Sequence, residues 1–203
     1  KVTNELPEWL GDAVQLLATE RLAEALDGLS GQKGLVDPAL SSAWYFDRLE
    51  QAGATVVRGA DPCAVPRATK NAVEIEGSRQ AHIRDGAALT RFLHWVDTVA
   101  QETLPDEREV VETLERFREA TGALKDLSFD TISAVGPNAA LPHYRAEPGN
   151  KRAFAGEAIY LVDSGGQYPD GTTDITRTVA LQAPSAEMKD RYTRVLKGHI
   201  ALA

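Results

Sequence analysis

Residues 159–181 read IYLVDSGGQYPDGTTDITRTVAL, and this stretch decides how the second half of the chain folds. Alternating and β-branched residues flank Tyr168-Pro169-Asp170-Gly171 on both sides, the pattern of two strands joined by a tight turn. Proline presets the first central dihedral of such a turn, and glycine closes it without steric cost. If Tyr168 pairs with Gly171, the register puts Asp163 opposite Thr176 and Asp174 opposite Gly165. Side chains two apart on a strand share a face. Asp163 and Asp174 then point the same way as diagonal neighbours, about 7–8 Å apart at Cα. Two carboxylates that close repel unless a cation lies between them. Paired divalent metals, about 3.5–4 Å apart, suit the gap. A three-residue loop would reverse the parity and send the aspartates to opposite faces. Gly165 and Gly166 remove side chains just after Asp163, where a backbone or a ligand can approach closely. The competing reading is a solvated hairpin with ordinary turn aspartates.

Working outward, Pro184 and Ser185 begin a last helix, with Met188, Tyr192, Val195 and His199 along one seam and Leu196 and Ile200 beside it. Before the hairpin, residues 127–135 alternate as a strand, and Gly136-Pro137-Asn138 is a loop. Residues 105–120 form a helix whose acidic first turn suits the helix dipole. Val110, Leu114 and Phe117 make its buried face, and Gly122 ends it. Asn71 and Glu74 have the spacing of a capping box that opens a long helix. Leu89, Phe92, Leu93, Val96 and Val99 form its apolar stripe. Asp61-Pro62 to Pro66 is the best domain boundary. Ahead of it, residues 8–29 read as an amphipathic helix through Leu10, Val14, Leu17, Ala25 and Leu29. Pro38–Ala52 is a second helix stopped by Gly53, and residues 54–58 are a short strand. That order is the punctuation of an α/β unit.

The 203 residues allow one or two domains and a sizeable core; 43% are hydrophobic and 26% charged, as in ordinary soluble proteins. A net charge of −8 disfavours nucleic acid or an anionic membrane as a partner. No stretch is long and apolar enough to span a bilayer. Cys63 is the single cysteine, which excludes an internal disulfide and a zinc–thiolate site. Low cysteine usage fits a reducing, cytoplasmic setting. The first residue is Lys1 and no signal peptide is visible.

DSGGQYPDGTTDITRT, residues 163–178, closely resembles the metal-binding hairpin of the Xaa-Pro aminopeptidases (aminopeptidase P), within the wider pita-bread metallopeptidase family. KNAVEIEGSRQAHIRDGAAL (70–89) is similar to the long helix that opens the family's catalytic domain. LSFDTISAVGPNAALPHYR (127–145) is similar to its first strand and substrate-side loop, and YTRVLKGHIAL (192–202) to the helix after the hairpin. The resemblance covers about residues 64–203, with the four blocks in order. It implies an α+β class: the first half of a pita-bread domain over residues 64–203, preceded over residues 1–63 by the end of a creatinase-like α/β domain.

The resemblance also implies the chemistry. Asp163 would bind one metal and Asp174 would bridge two divalent ions, manganese by family preference and by the hardness of oxygen ligands. His143, in the loop that reads GPN…HY, would contact the substrate. The expected activity removes the N-terminal residue of a peptide with proline second, through a water activated by both metals. One histidine and two glutamates, expected beyond Ala203, would complete the site, so these 203 residues alone are expected to be inactive. An exposed half-core favours self-association, and a homodimer is one expectation. Two rival readings remain: a non-catalytic peptide- or protein-binding module on the same fold, and a prolidase-type dipeptidase.

Elsewhere, His82 and His94 sit in the first catalytic-domain helix and His199 on the last, where a surface or packing role is the default. Asp170 belongs to the turn and is expected to face solvent. Thr172, Thr173, Thr176 and Thr178 can support the aspartates by hydrogen bonds. Arg177 alternates to the face opposite Asp174.

Overall fold

The computed structural model describes residues 6–156 and 159–203. It divides into two compact units, the first ending at Thr69 and the second beginning at Lys70.

The first unit contains α1 (Leu6–Leu10), α2 (Leu22–Asp27), β1 (Lys33–Val36), α3 (Ala43–Gln51), β2 (Thr55–Arg58) and α4 (Ala64–Ala68). β1 and β2 pair in parallel from Lys33↔Thr55 to Val36↔Arg58, with α3 in the crossover. The single helix expected over residues 8–29 is instead two short ones. Gly11 takes a left-handed φ of 66° and ends α1. Val14, Leu16 and Leu17 stay exposed, so the segment after it has no packed face to hold it helical. α3 begins later than Pro38, because the Asp37 carboxylate accepts from the Ala39 amide and folds that segment into a turn. Ser42 then caps the helix by accepting from the Trp44 amide. Gly53, at φ 83°, follows it as expected. β1 escapes a local reading because it is four residues long with Gly34 inside it; its parallel partner defines it.

The second unit is built from α5 (Ala72–Asp97), α6 (Val99–Thr103), α7 (Glu107–Glu119), β3 (Asp126–Leu127), β4 (Ile132–Val135), β5 (Ile159–Ser164), β6 (Gly166–Gln167), β7 (Ile175–Ala180) and α8 (Ala186–Leu202). The Asn71–Glu74 capping box is present in full. The stripe of α5 ends at Val96, because Thr98 leaves helical geometry and turns the chain into α6. Val99 consequently points outward and is 45% exposed. A second capping box, Asp106–Glu109, opens α7.

The core joins Leu89, Phe92 and Val96 of α5, Ala100 of α6, and Val110 and Leu114 of α7 to Val135, Tyr160 and Val162 of the sheet. That sheet is antiparallel in the order β4-β5-β7. The strand expected over residues 127–135 is divided, because its two ends pair with different partners: β3 with β6, and β4 with β5. α8 is capped by Ser185, but its seam meets no core: Tyr192, Val195 and Ile200 are 52%, 74% and 66% exposed.

Candidate functional site

The hairpin takes the register that its turn dictates. The Tyr168 amide donates to the Gly171 carbonyl at 2.9 Å, and Gln167 bridges Thr172. The Thr173 amide donates to the Gly166 carbonyl, and the ladder continues through Ser164↔Ile175 and Asp163↔Thr176. Burial alternates residue by residue along β5. Tyr160, Val162, Ser164 and Thr173 are buried, whereas Asp163 is half-exposed and Asp174 exposed. Thr176 donates its hydroxyl to Asp163 Oδ1 at 2.8 Å, which fixes Asp163 and Thr176 on one face; Asp174 lies two residues before Thr176. The register therefore lays the two aspartates diagonally on the outer face.

Gly171 and Gly165 are required for close approach. A Cβ on Gly171 would lie 3.0 Å from Ser78 Cα, so the turn packs directly onto α5. A Cβ on Gly165 would meet the Thr173 carbonyl oxygen at 1.9 Å and Ser128 Oγ at 2.2 Å. What approaches Gly165 is thus the opposite strand and the chain before β4.

The donor chemistry of Asp163 and Asp174 suits hard divalent cations: two carboxylates on an open face, with no lysine or arginine paired to either among the described residues. They make part of a coordination sphere. Among the described residues no group of three or more His, Cys, Asp or Glu could hold an ion. His143 is exposed in the loop after β4 and joins no such group; neither do His82, His94 and His199.

Behind the hairpin lies a charge cluster that the sequence reading missed. Asp85 of α5 and Arg118 of α7 are both fully buried and joined by two hydrogen bonds of 2.7 and 3.1 Å. Asp85 also accepts from the hydroxyls of Tyr168 at 2.7 Å and Thr173 at 3.0 Å. Arg118 donates to Ser164 Oγ at 3.1 Å. Burial works against ionisation of Asp85, but Arg118, Tyr168 and Thr173 outweigh it and hold the carboxyl below its ordinary range. Burial, and next the Asp85 carboxylate, push the Tyr168 phenol up, so it stays a donor. The signal was present: Asp85 falls on the helical stripe of Ala81, Ala88, Phe92 and Val96, and Arg118 on that of Val110 and Leu114. An acid and a base at core positions of two helices imply a buried pair.

Glu107, also fully buried, organises the loop that carries His143. Its carboxylate accepts from the Val135 amide at 2.8 Å, from Asn138 Nδ2 at 3.0 and 3.1 Å, from the Tyr144 hydroxyl at 2.7 Å and from the Arg152 amide at 2.8 Å. Burial and then Glu107 push the Tyr144 phenol up. His143, next to this anchor, takes a left-handed φ of 55°. A side chain other than glycine pays about 1–2 kcal/mol there, and surrounding contacts must hold it.

The turn residue Asp170 is half-buried, contrary to expectation, because Arg84 of α5 binds both its oxygens at 2.9 Å. Of the four threonines, Thr176 supports Asp163 directly, whereas Thr173 turns inward to Asp85. Arg177 lies opposite Val162, on the other face from Asp163, as the alternation predicts.

Comparison with known proteins identifies what the chain as a whole is similar to. The profile of metallopeptidase family M24 matches residues 76–203. The chain is 42% identical over its whole length to a probable Xaa-Pro aminopeptidase P of Coccidioides posadasii, of which it covers 33%. It is 50% identical over 70% of its length to a probable Xaa-Pro aminopeptidase P of Chaetomium globosum, covering 23% of that protein. The crystal structure of X-prolyl aminopeptidase from Caenorhabditis elegans, described as a cytosolic enzyme with a di-nuclear active site, superposes with a TM-score of 0.69 at 37% identity. The match covers 82% of this chain and 27% of that one. The chain thus spans about a third of the length of the first curated relative, or less. The α+β class expected from the sequence holds, and the neighbours share the pita-bread fold.

Proposed function

The chain belongs to metallopeptidase family M24, and we propose that the complete protein is an Xaa-Pro aminopeptidase that removes the N-terminal residue of peptides with proline in second position. The observation that carries this reading is the hairpin register, which lays Asp163 and Asp174 on one open face. These carboxylates would hold two divalent ions, manganese by our reading. When bound, such ions supply Lewis acidity and lower the pKa of a coordinated water.

The chain's own residues do the positioning. Thr176 orients Asp163 by its hydrogen bond. His143 is assigned to donate to the scissile carbonyl oxygen as negative charge develops there. Residues 64–203 are assigned to the first half of the catalytic domain and residues 1–63 to the end of the preceding α/β domain. One histidine and two glutamates outside these 203 residues complete the coordination, so this stretch alone binds metal weakly and does not turn over. The setting is the cytoplasm, and the partner is a peptide; the acidic charge speaks against nucleic acid and anionic membrane.

Asp174→Ala in the complete protein tests the reading. Loss of both Mn2+ binding and Xaa-Pro cleavage is expected. Full activity of the correctly folded variant removes Asp174 from the site. Peptide binding without metal uptake or cleavage in the unmodified protein would favour the binding module. A series from dipeptides to longer peptides separates an aminopeptidase, which cleaves the longer ones, from a dipeptidase.

A further inference from the structure

We infer that the buried Asp85–Arg118 pair is a positioning device for the two outer carboxylates, acting through Thr173 and Ser164. This rests on the metal-binding reading above and goes beyond it. Ser164 follows Asp163 and Thr173 precedes Asp174. Successive strand residues point to opposite faces. Fixing Ser164 and Thr173 inward therefore fixes the aim of Asp163 and Asp174 outward.

Both inner residues are fixed by the same pair. Thr173 donates to Asp85 Oδ2 at 3.0 Å, and Arg118 donates to Ser164 Oγ at 3.1 Å. The strands are also cross-tied at this point. Gly166 donates its amide to Thr173 Oγ1 at 2.9 Å, and the Thr173 amide returns a bond to the Gly166 carbonyl. Outside, the only side-chain hydrogen bond to either aspartate among the described residues is that from Thr176 to Asp163. Two like charges on neighbouring strands push apart, and the restraint against splaying comes from within. Asp85 and Arg118 together carry no net charge, so their effect on the outer face is geometric. Groups that orient metal ligands from behind are worth about 10- to 100-fold in affinity.

The test uses the complete protein with Thr173→Val, which keeps volume and deletes the hydroxyl, and Thr173→Ser, which keeps the hydroxyl. Thr113→Val serves as the control for plain destabilisation, because Thr113 is buried and its hydroxyl bonds only within α7. Mn2+ affinity is measured by calorimetry, and the melting temperature and amide exchange are measured on metal-free protein. Thr173→Val is expected to lose about 10- to 100-fold in Mn2+ affinity and to exchange faster at the Gly166 amide, whose acceptor is the deleted hydroxyl. Thr173→Ser and Thr113→Val should bind as the unmodified protein does. Ser164→Ala deletes the other contact and gives an independent reading if Thr173→Val does not fold. Unchanged affinity in Thr173→Val or Ser164→Ala, or an equal loss in Thr173→Ser, overturns the inference and leaves the metal-site reading standing. Absence of Mn2+ binding by the unmodified protein removes both.

Discussion

Arg84 holds Asp170 through two hydrogen bonds of 2.9 Å each, which ties the tip of the hairpin to a helix 86 residues earlier in the chain. The guanidinium also lies 5.4 Å over the Tyr168 ring. Hydrogen bonding from Arg84 holds the Asp170 carboxyl below its ordinary range. Asp170→Asn should lower the melting temperature, and the difference from the unmodified protein should shrink in concentrated salt, because this pair is partly open to solvent. A salt-independent difference would mean that the pair acts by packing.

Gly77 is expected to resist replacement by the best helix former. In an open helix Gly→Ala gains about 1 kcal/mol. Here a Cβ would lie 2.3 Å from the Asp170 backbone carbonyl oxygen. Overpacking of that kind costs about 1–3 kcal/mol. Denaturant unfolding should therefore show Gly77→Ala to be destabilising, the opposite sign from helix propensity.

Removing one partner of the fully buried Asp85–Arg118 pair leaves the other charge without compensation. Asp85→Ala should cost about 3–5 kcal/mol in equilibrium unfolding. The acid response follows from the same group. The folded-state pKa of Asp85 is depressed. Its stabilisation is complete above an unfolded value of about 4 and is lost as pH falls through the lower folded value. Melting temperature followed from neutral pH down to about pH 2 should fall in the unmodified protein, and Asp85→Asn should weaken that dependence.

His143→Ala separates a substrate contact from a metal ligand. Under the proposed function, in which His143 donates to the developing oxyanion, the variant should lose about 10²–10³ in kcat, while metal stoichiometry stays the same. The variant should remain folded, because His143 is exposed and Tyr144, not His143, carries the anchor to Glu107. Loss of a metal ion in this variant would reassign it.

The hairpin was legible because a two-residue turn fixes the parity of everything that follows; Tyr168–Gly171 pairing alone determines that Asp163 lies opposite Thr176. Both ends of α5 could be treated locally, one through Asn71 and Glu74 and the other only in part. The stripe is blind to Thr98, where the backbone departs from helical geometry. The failure over residues 8–29 has the same root: periodicity reports which residues could be buried together, and Val14 and Leu17 have nothing to be buried against. The inner charges escape a helix-by-helix reading because a charged side chain is exposed by default unless a partner is in view. Asp85 and Arg118 do lie on the core stripes of their helices, whereas Glu107 becomes intelligible only once amides and a phenol hydroxyl from distant segments surround it.

The bonds that converge on Asp85 come from residues 33, 83 and 88 positions further along. Each needs a distant stretch to meet α5, the full set needs α5, α7 and the hairpin together, and closing loops of that length is entropically uphill. During synthesis the ribosome delivers α5 long before Tyr168 and Thr173 exist, so the acid on its stripe must wait in water for its partners. The carboxylate-bearing edge thus cannot take its full set of inner contacts until the hairpin has reached α5.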